Sequence, residues 1–210
     1  MIEQYAIYDN FLADPAAMVD ILRAQKYFVQ GRDKAAKRVK NKIPLDITYS
    51  SSPILGDPRV NSSKWIGYRS RDIHAIDVSI HDLIIGQLLE KIINGFSVIK
   101  VEFEVESYFH ILTNEFTPNE KWFHRDSNCL FAGVLYLSEN PTPNSGTVLN
   151  VNDVKISVEN KFNRLLIYNA NLIHGVESCF GDSIENARCT YVFFFKDISF
   201  YSSIPKMDGK

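Results

Sequence analysis

The sequence predicts a mainly β protein: a double-sheet jelly roll with N-terminal α-helices flanking one sheet. Three observations lead there. Helical periodicity with capping residues is confined to two stretches before residue 94. Near residue 99 the apolar period shortens to two. From residue 120 onward, short apolar segments follow at close spacing, separated by turn residues such as Asn140-Pro141, Ser145-Gly146, Glu159-Asn160 and Gly181-Asp182.

Taken in order, residues 2–8 read as a short strand. Asp14 followed by Pro15 is an N-cap with proline at the first helical position, and Met18, Ile21, Leu22 and Gln25 continue at helical spacing, so a helix is expected over 15–27. Residues 31–42 carry six basic side chains and almost nothing apolar, which reads as a solvated face, with a lid or an anion-binding patch as the alternative. Residues 44–63, rich in Pro, Ser, Gly and Asp, read as extended loop. A second helix is expected over 78–93, capped by Asp77 or Ser79, with Ile80, Leu83, Ile84, Leu88 and Ile92 as its apolar stripe and Asn94-Gly95 as its stop.

A long strand follows over 99–111. Ile99, Val101, Phe103, Val105, Phe109 and Ile111 form its buried face; Glu102, Glu104, Glu106, Tyr108 and His110 fall on a face read as solvated. Further strands are expected at 130–137, 147–151, 154–158, 164–168 and 189–196. With 210 residues, 45% of them hydrophobic, the chain can bury a substantial core. It reads as a single domain over 1–210, a helical and loop region (1–97) packed on a β core (98–197).

A formal net charge of −2 and a pI near 6.2 give no global attraction to nucleic acid or to an acidic membrane. Cys129, Cys179 and Cys189 are too few and too scattered for a disulfide framework or a thiolate zinc site. With no signal peptide or membrane-span pattern, a reduced, cytoplasmic protein is expected.

The chemistry lies in the β half. His124 and Asp126 are two apart in an extended segment, so they point to one side while Arg125 points to the other. An imidazole and a carboxylate can then share one metal ion, with His174 from a distant segment as third ligand. Two histidines and one carboxylate on one face of an octahedron leave positions open, the arrangement of non-haem iron(II) oxygenases. Arg188 stands at the entrance of an otherwise apolar strand, where a guanidinium needs an anion and grips a carboxylate with two parallel hydrogen bonds. Thr190 shares its face. Trp122 and the segment 65–70 are candidates to line a substrate site, with Tyr108 and Asn128 weaker ones. His74, His81 and His110 read as surface histidines, and Cys129 as a small buried group.

These motifs (HRD at 124–126, IHGVES at 173–178, ARCTYVFFF at 187–195, VLYLSEN at 134–140) and the opening AIYDNFLADPAAMVDIL resemble the prolyl-4-hydroxylase-like branch of the iron(II)/2-oxoglutarate-dependent dioxygenases. The resemblance covers most of 5–28 and 98–197. It implies a double-stranded β-helix core, iron(II) on His124, Asp126 and His174, and 2-oxoglutarate held by Arg188, Tyr136 and Thr190, with Asn114 where the family has a tyrosine. It further implies the use of dioxygen to hydroxylate an unactivated C–H bond, with release of succinate and carbon dioxide. An aspartate at 126, rather than alanine or glycine, favours hydroxylation over halogenation. The implied substrate is a peptidyl or free amino-acid side chain. A nucleobase demethylase of the same superfamily and a non-catalytic β-sandwich binding module are the alternatives.

Overall fold

This computed structural model describes residues 4–29, 66–93, 100–116, 118, 120–126 and 128–201. The basic stretch 31–42, the loop 44–63, Trp65 and the Asn94-Gly95 stop lie outside the described residues.

The element order is β1 (Tyr5–Tyr8), α1 (Pro15–Arg23), β2 (Phe28–Val29), β3 (Tyr68–Arg69), α2 (Ile73–Ile76), α3 (Val78–Ile93), β4 (Lys100–Leu112), a 3-10 turn (Glu120–Trp122), β5 (Phe131–Tyr136), β6 (Thr147–Val151), β7 (Val154–Val158), β8 (Leu165–Asn169), β9 (Ile173–Val176) and β10 (Arg188–Tyr201). Among the described residues, seven strands form one sheet in the order β1-β8-β5-β10-β4-β3-β2, and three form a second in the order β7-β6-β9. All pairings are antiparallel. This is the jelly-roll architecture expected from the strand spacing.

The larger sheet is covered on both faces. On one, Met18, Val19 and Leu22 of α1 and Ile84, Ile85, Leu88 and Ile92 of α3 pack with Phe109, Ile111, Leu135, Leu165, Ile167, Tyr191, Phe193 and Phe195. On the other, Tyr108, Val134, Tyr136, Leu166, Tyr168 and Val192 meet Leu149, Val151 and Val158 of the smaller sheet. This second layer is the interior of the roll.

Double coverage corrects the reading of β4. Its first half is largely exposed (Phe103 is 41% exposed), whereas Ser107, Tyr108 and Phe109 are all buried. The face taken as solvated is, from Tyr108 onward, the wall of the interior, because the smaller sheet covers it.

The helices follow their caps. Asp14 accepts from Ala17 N at 3.1 Å, and Asp77 accepts from Ser79 N and Ile80 N at 2.9 and 3.1 Å. α1 ends at Arg23 rather than near 27, because Tyr27 turns inward and its hydroxyl donates to Leu22 O. On α3, Leu83 is 59% exposed and His81 takes its place in the buried stripe. β9, the two-residue strands β2 and β3, and α2 were not expected, since each is too short to carry a period. Among the described residues, no helix is long and apolar enough to cross a membrane.

Gly146, just before β6, is required by close approach. A Cβ there would lie 1.8 Å from the carbonyl oxygen of Val158. Gly146→Ala is therefore expected to lower stability by about 1–3 kcal/mol, read as a lower urea midpoint at unchanged slope. An unchanged midpoint would show that the β6–β7 approach relaxes freely.

Candidate metal centre and anion pocket

His124 and His174 are joined through the main chain. His124 N donates to His174 O at 3.0 Å and His174 N donates to His124 O at 2.9 Å, so the segment carrying His124 lies against β9 as an edge of the smaller sheet. Asp126 N donates to Ala170 O at 3.0 Å. The i, i+2 alternation then turns His124 and Asp126 to one side while Arg125 is exposed. Gly175 permits the approach from below, since a Cβ there would sit 3.1 Å from the Phe123 ring.

The three side chains converge. His124 Nε2 is 3.4 Å from Asp126 Oδ1, His174 Nε2 is 3.3 Å from Asp126 Oδ2, and one ligand atom from each residue falls within a 4.8 Å cluster. Adjacent octahedral ligands bound at ~2.1 Å lie roughly 3 Å apart, so each histidine stands close to that spacing from Asp126, and the three side chains face one point where a divalent ion could be held. Each Nδ1 faces a backbone carbonyl, that of Trp122 at 2.8 Å for His124 and that of Leu172 at 3.0 Å for His174. A carbonyl only accepts, so Nδ1 holds the proton and Nε2 presents its lone pair. Asp126 Oδ2 is buried and accepts no hydrogen bond. A buried carboxylate oxygen in that condition suits a cation.

The electrostatics agree. Asp126 is raised by burial, but His124, His174 and Arg69 outweigh this and hold it below the usual carboxylate range. Asp126 raises His124, while burial lowers His174. His124 is on the rim, its side chain 48% exposed, and His174 is buried.

Arg188 is the largest of the fully buried side chains, 2% exposed. Its Nε donates to Ser145 O at 2.8 Å, its Nη2 to Gly146 O and Thr147 Oγ1 at 3.4 Å each, and its guanidinium lies 5.5 Å from the Tyr136 ring centre. Tyr136 is buried, and its hydroxyl donates to Thr147 Oγ1 at 2.7 Å. Burial raises Tyr136, against the lowering pull of Arg188, so the phenol stays a donor. Every partner of Arg188 is neutral; no carboxylate of a described residue pairs with it. A buried guanidinium in that setting favours an anionic ligand.

The remaining sequence candidates fall into place unevenly. Thr190 is buried on the interior face, opposite Tyr136 in register, but its hydroxyl donates to His110 O at 3.2 Å. Asn114 is exposed on the turn after β4, where its backbone N–H bonds to Gly181 O; its side chain is not drawn into the buried cluster. Trp122 contributes its carbonyl to His124. Tyr108 lies in the interior layer and Asn128 is exposed. Cys129 is half-buried rather than fully buried, its thiol pushed up to about 11 by burial. His110 is not a surface histidine: it faces the interior, where burial and then Arg69 lower it to about 3, so it is neutral.

Sequence reasoning missed Tyr168 and Thr147. The Tyr168 ring packs 4.5 Å from His174. The signal was a polar aromatic ending an apolar run, which does not by itself separate a core tyrosine from a site tyrosine.

No family model matches the chain, and no curated protein matches it. Solved structures do share its fold. HygX from Streptomyces hygroscopicus, with nickel and 2-oxoglutarate bound, is 11% identical over 91% of this chain and 81% of that chain, with a TM-score of 0.52. Its apo form aligns over 98% and 86%, at 11% identity, with a TM-score of 0.54. AviO1 from Streptomyces viridochromogenes is 15% identical over 93% and 90%, with a TM-score of 0.53. The chain therefore shares its fold with HygX, which was solved with nickel and 2-oxoglutarate bound.

Proposed function

We propose that this protein is an iron(II)- and 2-oxoglutarate-dependent dioxygenase that hydroxylates an unactivated C–H bond, in a free or peptidyl amino-acid side chain. The observation that carries this reading is the pairing of two features inside one roll. His124, Asp126 and His174 bring one ligand atom each to one point, and a buried Arg188 lies beside Tyr136 with no carboxylate of a described residue paired to it.

In this reading His124 Nε2, His174 Nε2 and Asp126 hold the metal, and the two backbone carbonyls behind the imidazoles keep the rings oriented. Arg188 grips the far carboxylate of 2-oxoglutarate, with the Tyr136 hydroxyl as a second donor. Iron(II) supplies dioxygen activation when bound, and oxidation of 2-oxoglutarate to succinate and carbon dioxide supplies two of the four electrons that dioxygen takes up. The apolar interior wall of Val134, Leu149, Leu166 and Val192 keeps water from the buried half of the site.

The test is succinate release by the iron-loaded protein against free amino acids, proline-containing peptides and methylated oligonucleotides. Release with an amino acid or peptide, with a product heavier by one oxygen, is expected. Release only with methylated oligonucleotides would move the reading to a demethylase. No release with any of them, and no binding of 2-oxoglutarate, would leave a binding module.

A further inference from the structure

We propose that Asn160 is a further ligand-binding residue of the Arg188 pocket, its side-chain amide donating to the far carboxylate of the co-substrate. The inference rests on the dioxygenase reading and deepens it.

An asparagine just after a strand is expected to be an exposed turn residue. Asn160 is instead 3% exposed, and neither its Oδ1 nor its Nδ2 has a hydrogen-bond partner among the described residues. Its backbone gives no reason for the residue type, since its φ is not positive. Other asparagines nearby have local work. Asn163 exchanges two hydrogen bonds with the backbone of Leu12, and the side chains of Asn169 and Asn186 accept from backbone N–H groups. A carboxamide buried without such bonds costs stability, so it points to a ligand.

Its place in the fold says which ligand. The burial alternation of β7 runs past the end of the strand: Val158 is buried, Glu159 exposed and Asn160 buried. Val158 belongs to the interior layer, so Asn160, two residues on, falls on the same side. Val158 pairs with Thr147, and its carbonyl accepts from the Tyr136 hydroxyl at 3.4 Å. Gly146, next to Thr147, lies so close that an added Cβ would be 3.0 Å from Asn160 N. Gly146 O and Thr147 Oγ1 are in turn the acceptors of Arg188 Nη2. His174 pairs with Leu149, two residues along β6 from Thr147 in the other direction. Asn160 therefore stands on the Arg188 side of the interior, away from the metal ligands. The bonds that fasten Arg188 to the turn before β6 and to Thr147 run from Nε and Nη2, not from Nη1. A carboxylate only accepts, and it has room for about four hydrogen bonds. Arg188, Tyr136 and Asn160 then supply three donors around one carboxylate, with a single positive charge among them.

The test uses the manganese(II)-loaded protein and two ligands, 2-oxoglutarate and pyruvate. Pyruvate has the 2-oxo acid but no far carboxylate. Asn160→Leu keeps the volume and removes both polar atoms. By calorimetry it should bind 2-oxoglutarate about tenfold more weakly, the loss of one hydrogen bond to a charged group. Its affinities for pyruvate and manganese should not change. Its urea midpoint without co-substrate should not fall, because the variant removes a buried amide that lacked partners. Asn160→Asp keeps the shape but replaces the donor with a charge, and should lose more 2-oxoglutarate affinity than Asn160→Leu. Unchanged 2-oxoglutarate affinity in Asn160→Leu, or an equal loss for pyruvate, overturns the inference and leaves the dioxygenase reading standing. If the wild type does not bind 2-oxoglutarate, that reading has failed. Saturation transfer to glutarate in the metal-free protein then decides: a signal lost in Asn160→Leu supports the anion pocket, and a signal that is absent or indifferent to Asn160 removes it.

Discussion

His174→Ala is expected to lower iron(II) affinity at least about a hundredfold, because loss of a partner behind a ligand already costs 10–100-fold and this change removes the ligand itself. The fold should survive it. The bonds that fasten β9 to the His124 segment are main-chain bonds in both directions, so alanine keeps them. What goes is the imidazole between Tyr168 and His124, each ring 4.5 Å from it. An anaerobic competition with a coloured iron(II) chelator reads the affinity, and far-UV circular dichroism reads the fold. A folded variant with wild-type iron affinity would remove His174 from the site and leave His124 and Asp126 as a surface pair.

Arg188→Gln is expected to weaken 2-oxoglutarate roughly 30-fold or more. Losing one member of a buried charge pair costs about 2–5 kcal/mol when the other stays unpaired, and ~1.4 kcal/mol is a decade. Iron affinity without 2-oxoglutarate should hardly change, since the partners of Arg188 are Ser145, Gly146 and Thr147 rather than the triad. Tyr136→Phe should give a smaller loss of the same kind, one neutral donor being worth about 1 kcal/mol. Calorimetric titration of the metal-loaded variants separates the two ligands. Weakened iron with intact 2-oxoglutarate would mean that Arg188 is a structural clamp on the turn before β6.

Much of this was legible in the sequence where local pattern and tertiary role coincide. The caps at Asp14 and Asp77, the turns between β5 and β10, and the His-x-Asp spacing are local facts, and the structure keeps them. The readings that shifted concern faces. Tyr108 and His110 alternate with apolar residues and so read as exposed, but alternation shows only which side chains share a face, and from Tyr108 onward the smaller sheet covers that face. His81 and Leu83 exchanged roles on α3 because a helix with isoleucines nearly all round has a weak preferred direction. β9 is four residues long and carries His174, yet its length hid it. Arg69 lies in the segment 65–70, read from the sequence as a candidate to line the substrate site; its place in the roll comes from a two-residue pairing with β4 that no periodicity announces.

Anaerobic titration of the protein with iron(II) and 2-oxoglutarate tests the central claim most directly, because it asks for both ligands in one site. A weak visible charge-transfer band should appear only when both are present, saturate at one equivalent of each, and be absent in Asp126→Ala and His174→Ala. A folded wild-type protein that gives no band, or a His174→Ala variant that gives the full one, would contradict the account.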